Sequence, residues 1–313
     1  MIPHTERPST LDLNLDSTSI AEIELASGVA APALIALSPS IQADVGRYRL
    51  RLAQSAAERE AACRLRFKVF NIELGEGLEC SYQSGLDVDR FDSVCDHLLV
   101  EDKASGRIVG TYRMQSGETA ARNLGYYSEQ EFCLAPYEPL RPEILELGRA
   151  SIDREHRTPE VLMLLWRGIA QYATGMGLRY LLGCSSLNSN DPVEGWRMYR
   201  RLQNFRVSAE FETMPTLAFA CPSELQAADT QPSTCQTGRA MPASASGADG
   251  CSVASADEVH VPKLLKTYLA IGARIAAPPA WDREFRTIDF LTLLDLNLLS
   301  AAARNRFLAP LTS

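Results

Sequence analysis

Alternating apolar and polar residues first become regular at 47–53, and this period of two predicts a half-buried strand. Ser55 can cap a following helix that continues to about Phe70, because apolar residues then recur every four positions. Two further apolar runs, 97–102 and 107–115, flank a Ser-Gly turn and are typical of a β-hairpin. The first half of the ordered chain is therefore predicted to hold three strands and a helix.

In the second half of the chain, predicted strands and helices alternate. Thr158, Pro159 and Glu160 place a capping hydroxyl, a proline and an acid where a helix begins. The predicted strands are 144–153, 178–186 and 286–296, and the predicted helices are 158–174, 191–202 and 262–276. This order predicts an α/β or α+β fold, with a mixed central sheet flanked by helices.

Composition divides the chain into four parts. Residues 1–46 are rich in Ser, Ala, Pro and Asp and are expected to form a disordered leader, followed by a core over 47–221. Residues 222–258 contain no aromatic residue and are expected to be a flexible, low-complexity insert. The C-terminal segment, 259–313, is expected to complete the core with a helix and a strand.

The charge and cysteine content limit the class of protein. A net charge of −8 argues against a general nucleic-acid binder. Eight Cys without a CxxC pair, and no secretory segment, favour a reduced, cytoplasmic setting. Residues 149–206 carry nine Arg against five carboxylates, and this excess is either a set of solvated helix faces or a docking surface for an acidic partner.

The densest chemistry lies in the strand at 144–153, where Glu146, Arg149 and Asp153 are close in sequence. Side chains alternate along a strand, so Glu146 and Arg149 point to opposite faces unless a bulge intervenes, and Gly148 is a plausible bulge position. A bulge would free backbone N–H groups to bind a carbonyl oxygen and the oxyanion that develops on it. The alternative is a structural ion pair between neighbouring strands.

Other candidates carry weaker signals. Arg66 and Phe70 lie one helical turn apart and share a face. Asp89 and Asp92 are spaced sparsely and lack the pattern of a calcium loop, so no metal site is assigned. Ser185 is not surrounded by a GxSxG elbow, which argues against a serine hydrolase.

The chain resembles the acyl-homoserine lactone synthases, which have the acetyltransferase-like (GNAT) fold and take acyl chains from acyl carrier protein. The residues that match their signature are Arg66, Phe70, Asp89, Asp92, Arg113, Glu146, Arg149 and Asp153. The chain is more similar to the ornithine–acyl-carrier-protein N-acyltransferases and related N-acyl amino acid synthases. The resemblance covers about 47–221 and 259–308. It is carried by 65–70, 91–100 with 108–113, 145–153 and 264–290.

The chain also departs from its relatives at two places. The Gly-rich loop that holds coenzyme A pyrophosphate in ordinary acetyltransferases is replaced by 154–160, which contains no glycine. This favours a phosphopantetheine arm delivered by acyl carrier protein, with no other cofactor, and Arg154 and Arg157 as carrier-binding residues. The Trp usual in homoserine-lactone enzymes is absent from 72–74, which favours the amino acid acyltransferases.

The resemblance implies direct transfer of a (3-hydroxy)acyl chain to the α-amine of an amino acid, with L-ornithine favoured. Glu146 would be the general base, although pairing with Arg149 would lower its pKa and weaken it. Asp89 and Asp92 would orient the acceptor, while Arg66 and Arg113 would position a carboxylate or anchor the loop. The implied catalytic residues are Glu146 and Arg149; the implied substrate-binding residues are Arg66, Phe70, Asp89, Asp92, Arg113, Asp153 and Ser185.

Two alternatives remain at this point: an acyl-homoserine lactone synthase, which would require S-adenosylmethionine, and a non-catalytic GNAT-fold module that binds acyl carrier protein.

Because an acylated amino acid is amphipathic, peripheral contact with the inner membrane through Lys263, Lys266 and Arg274 is also expected.

Overall fold

The computed structural model describes residues 41–222 and 260–307. Almost all of the expected insert and most of the expected leader lie outside these ranges. One boundary is corrected: Gln42–Val45, placed in the leader, forms a strand that pairs antiparallel with the next one. Backbone pairing with the core thus begins before residue 47.

A nine-stranded mixed sheet forms the centre of the described chain. The strands are β1 Gln42–Val45, β2 Tyr48–Leu52, β3 Asp96–Asp102, β4 Arg107–Ser116, β5 Ile144–Ile152, β6 Tyr180–Leu187, β7 Arg274–Ile275, β8 Ala280–Asp282 and β9 Thr287–Asp295. Their spatial order is β1-β2-β3-β4-β5-β6-β9-β7, with β8 also paired to β9. All pairs are antiparallel except β5 with β6.

Helices cover both faces of the sheet. They are α1 Ala56–Phe67, α2 Ser81–Ser84, α3 Gly117–Arg122, α4 Pro159–Gly175, α5 Pro192–Arg201, α6 Lys263–Ile271 and α7 Ala301–Phe307. The helix α4 packs closely on one face because Gly168 has no side chain, so Leu50 and Leu98 lie directly against its backbone. On the opposite face, α1 lies over β4 and β5. The predicted mixed sheet flanked by helices is confirmed.

The C-terminal segment supplies an interior strand of the sheet. The eight-residue pairing of β9 with β6 seats it between β6 and β7. The helix predicted over 262–276 ends early, at Ile271, because Gly272 adopts a left-handed φ of 115° and reverses the chain. Residues after this turn form β7, which the sequence pattern did not predict.

Candidate active site

The parallel strands β5 and β6 separate and open a cleft. Their pairing covers three positions and ends where Glu146 faces Leu182. Beyond it lies a cavity of about 1560 Å³, lined by the bulged part of β5, by β6 and β9, and by α4, α6 and α7. The predicted bulge is present: Arg113 faces Gly148 but Thr111 faces Ser151, so β5 has one extra residue there. Arg149 adopts a left-handed φ of 52° within it.

The bulge settles the relation between Glu146 and Arg149. The Arg149 guanidinium bonds the Asp87 carboxylate and lies between the Phe70 and Phe285 rings, at 4.4 and 4.8 Å from their centres. Glu146 accepts its hydrogen bonds elsewhere, from the 3₁₀ turn Tyr127–Gln130. The two side chains therefore form no ion pair with each other.

Glu146 is buried and held at both carboxylate oxygens. The Tyr127 N–H donates to Oε2 at 2.9 Å, while the N–H and hydroxyl of Ser128 donate to Oε1 at 2.8 and 2.7 Å. Burial raises the pKa of Glu146, and the hydrogen bonds from Ser128 only partly oppose this. Glu146 lines the cavity, so it offers an oriented carboxylate whose basicity exceeds that of a surface glutamate.

A buried ionic network lies behind the cleft. Arg66 bonds both oxygens of Asp92 and also bonds Asp87, and Arg113 bridges Asp92 and Asp89. Burial would raise the pKa of Asp92, but Arg66 and Arg113 outweigh it and hold the pKa far below its usual value. Of these residues, Arg113 lines the cavity, whereas Arg66, Asp89 and Asp92 do not. These contacts tie both arginines to the loop that carries Asp87, Asp89 and Asp92, and the substrate-binding roles expected for these residues stay predictions.

The remaining predicted residues occupy different places. Asp153 is buried outside the cavity lining, where it caps a 3₁₀ turn and pairs with Lys68 and Arg107. Arg154 is exposed and is not among the cavity-lining residues, whereas Arg157 lines the cavity and pairs with Glu73. Ser185 is buried in the cavity wall, and its hydroxyl lacks a hydrogen-bond partner within the described chain.

One half of the cavity is apolar. It faces the side of the sheet covered by α4, α6 and α7. Trp166 packs edge-on against Tyr268 and Phe307 and so ties the three helices together. Further apolar side chains extend this wall: Leu162, Met163, Leu165, Leu181, Leu265 and Leu294. This apolar half has the chemistry to hold an alkyl chain.

The other half contains an acidic group that sequence reasoning missed: Glu131, Asp282 and Asp289. All three are buried, and one carboxylate oxygen from each lies within 4.8 Å of the others, so together they could hold a cation. Burial raises the pKa of Asp289 to about 6. Burial also raises the pKa of Glu131, and the nearby charges of Asp289 and Asp282 add to that increase. The sequence did contain one signal of this group: Asp289 is a charged residue inside the apolar run of β9.

Comparisons with known proteins identify the class first. Residues 65–167 match the acetyltransferase (GNAT) domain model, and the fold is that of a GNAT acyltransferase. An N-acyl amino acid synthase from uncultured soil microbes has a solved structure that covers 84% of this chain and 95% of its own, with 11% identity and a TM-score of 0.44.

Curated relatives then give the particular family. The chain is 32% identical over 281 residues to an L-ornithine N(alpha)-acyltransferase of Brucella abortus, which covers 84% of this chain and 92% of the relative. It is 31% identical over 312 residues to the Rhizobium meliloti protein of the same description, covering 95% and 96% of the two chains. The chain belongs to the L-ornithine N(alpha)-acyltransferase family. It is an acyltransferase, as predicted, rather than a non-catalytic module.

Exposed basic residues surround the cavity mouth. Lys263, Lys266 and Arg306 are exposed and line the opening, as does Arg157. Within the described ranges, no helix combines the length and apolar character needed to cross a membrane. The cavity therefore combines a basic rim, an apolar half and an acidic half.

Proposed function

We propose that this protein transfers an acyl chain from a carrier-bound thioester to the α-amine of L-ornithine, forming the amide of a lyso-ornithine lipid. The observation that carries the proposal is the cavity itself, which joins an apolar half to an acidic half at the point where β5 and β6 separate. A fatty acyl chain is apolar and ornithine is cationic, so the apolar half suits the acyl chain and the acidic half suits the amino acid. Membership of the L-ornithine N(alpha)-acyltransferase family supports the choice of acceptor.

The reaction begins with a neutral α-amine that attacks the thioester carbonyl carbon. The C–N bond forms, the C–S bond breaks, and the pantetheine sulfur leaves as a thiolate that takes up a proton. Glu146 accepts the proton lost by the amine, directly or through one water, and its raised pKa suits it to this role. The backbone of the bulge at Gly148 and Arg149 lines the cavity near the carbonyl and supplies donors for the oxyanion.

Acyl carrier protein is the proposed donor. Carrier proteins present acidic helices, and the rim residues Arg157, Lys263, Lys266 and Arg306 offer a complementary charge. The segment 154–160 has no glycine with which to wrap a coenzyme A pyrophosphate.

We also propose that three exposed basic residues, Lys263, Lys266 and Arg274, contact anionic lipid when the amphipathic product leaves. Flotation with anionic and with neutral vesicles tests this contact.

The direct test is a reconstituted assay with 3-hydroxyacyl-loaded acyl carrier protein and L-ornithine, followed by mass spectrometry of the product. We expect Nα-acylornithine, formed without S-adenosylmethionine, and much slower transfer from the same chain on coenzyme A. Failure of the wild type to acylate ornithine from either donor would overturn the proposed function.

Glu146→Gln tests the base. We expect kcat to fall by about 10²–10⁴-fold while acyl-carrier binding persists, because the amide cannot accept the proton. Glu143→Gln, just before β5 and outside the cavity lining, is the matched control. Wild-type turnover by Glu146→Gln would show that another group removes the proton, even though the wild type still makes the product.

A further inference from the structure

The acidic group lies on the side of the sheet opposite the apolar half of the cavity. In β9, Asp289 faces Ser186, whereas the next residue, Phe290, faces Ser185. Successive side chains alternate between the faces of a strand, so Asp289 and Phe290 point to opposite faces. Phe290 belongs to a core cluster with Leu265 and Leu269 of α6. Asp289 therefore points away from α6 and toward the side where Glu131 lies.

Two of the three carboxylates in this group have an oxygen with no partner. Oε2 of Glu131 and Oδ1 of Asp289 are buried without a hydrogen bond inside the described part of the chain, and the two residues are only 2% and 4% exposed. Both residues line the cavity. A buried carboxylate oxygen without a donor is costly, and such groups are usually paired. Their empty acceptor sites point to a ligand that brings N–H donors and positive charge.

The third carboxylate is already fixed in position. Oδ1 of Asp282 accepts from the N–H groups of Glu284 and Phe285, both at 2.9 Å, and so closes the turn before β9. That turn places the Phe285 ring against the Arg149 guanidinium. The acidic group is thereby built from three separate segments and is bounded on one side by a cation–π contact. A small ligand would enter from the cavity.

The acidic group also lies next to the proposed base. Glu146 is held by the 3₁₀ turn Tyr127–Gln130, and Glu131 directly follows that turn, where its N–H donates to the Ser128 carbonyl. The two amines of ornithine are separated by about 6 Å in an extended chain, from ordinary bond lengths. In the proposed arrangement, one ornithine presents its α-amine to Glu146 and its δ-amine to the acidic group.

We propose that Glu131, Asp282 and Asp289 bind the δ-ammonium group of the acceptor and so select ornithine over amino acids with uncharged side chains. This inference rests on the proposed function and deepens it. A tetrahedral ammonium that donates hydrogen bonds of about 2.8 Å holds its acceptor oxygens about 4.6 Å apart. One carboxylate oxygen from each of the three residues lies within 4.8 Å of the other two, which fits this geometry. Holding the δ-amine here also leaves the α-amine as the nucleophile.

The test compares L-ornithine with L-norvaline, which has the same carbon chain but no δ-amine. With 3-hydroxyacyl-loaded carrier as donor, we expect Asp289→Asn and Glu131→Gln each to lower kcat/KM for ornithine by about 10–100-fold, chiefly through KM. Transfer to norvaline should be slow in the wild type and should change little in the variants. The matched control is Asp295→Asn, at the end of the same strand and outside the cavity lining.

Each outcome decides a different point. If the wild type prefers ornithine and both variants keep that preference, the acidic group does not bind the δ-ammonium and the inference fails. If a chelator abolishes ornithine transfer and Mg²⁺ restores it, the carboxylates hold a metal and the inference also fails. If the wild type acylates no amino acid at all, the proposed function itself fails. Urea unfolding of each variant confirms that a lost preference is not lost folding.

Discussion

At the scale of single residues, two buried aspartates show how surroundings decide ionisation. Asp92 is enclosed by Arg66 and Arg113, and its pKa is held far below the usual value although burial opposes this. Asp289 is equally buried but has acidic neighbours, and its pKa is raised to about 6. The first carboxylate stabilises the fold, whereas the second costs stability, and in the proposed complex the cationic acceptor would neutralise it.

Asp289→Asn should therefore stabilise the protein at neutral pH while impairing ornithine use. A folded pKa of about 6 against a usual 3.8 corresponds to about 3 kcal/mol, an upper bound on the gain. Because the folded pKa is raised, the wild type loses this free energy as pH rises from about 4 to 6. We expect a higher Tm than wild type above pH 6 and no difference below about pH 4, measured by thermal unfolding. An unchanged Tm at pH 8 would contradict this reading of the site.

Asp92→Asn is the opposite case. Removing one partner from a buried ion pair costs about 3–5 kcal/mol, because Arg66 and Arg113 keep their charge without full compensation. The depressed pKa of Asp92 means that its contribution is present above about pH 4 and lost at lower pH. Calorimetry at pH 7 should show a large fall in Tm. A small effect would mean that water or a rearranged Asp89 replaces the carboxylate.

At the scale of elements, the active cleft depends on how closely β5 and β6 approach before they part. A Cβ added to Gly183 would lie 2.2 Å from the Leu147 carbonyl oxygen, so only glycine permits this approach. One step along β5, a Cβ on Gly148 would meet nothing within 4 Å. The two glycines thus have different roles: one brings the strands together, and the other borders open cavity.

Gly183→Ala should widen the cleft at its base and lower both stability and kcat. Steric overlap with a backbone atom of a neighbouring strand typically costs about 1–3 kcal/mol. Gly148→Ala is the control for stability, and its Tm should match the wild type within about 1 °C. Thermal unfolding and ornithine turnover measure both effects. Equal Tm values for the two variants would show that the strands can shift apart freely.

At the scale of the whole molecule, charge is separated despite a net charge of −8. Basic side chains surround the cavity mouth, and buried carboxylates lie within its polar half. In the proposed reaction, the rim would attract an acidic carrier protein, while the buried carboxylates would attract a cationic acceptor. The two proposed substrates would thereby be directed to different parts of one cavity.

Arg154→Glu should weaken carrier docking without altering the chemistry. Arg154 is an exposed charge three residues before the rim residue Arg157, and charges of this kind act mainly on encounter. We expect KM for acyl carrier protein to rise about tenfold and to depend less on added NaCl than the wild-type KM does. KM for a short acyl-pantetheine donor should not change. Arg122→Glu, an exposed arginine outside the cavity lining, is the control. A KM unchanged by Arg154→Glu would place the carrier contact elsewhere on the surface.

The sequence by itself determined most of the described elements and the bulge at Gly148, because alternation, capping residues and glycine act over a few neighbouring positions. The pairing of Arg149 with Asp87, 62 residues away, and the union of Glu131 with Asp289 were decided by tertiary structure. Ionic partners and buried charge depend on which strands lie side by side, and local pattern carries no such information. That placement freed Glu146 from Arg149 and created the acidic half of the cavity.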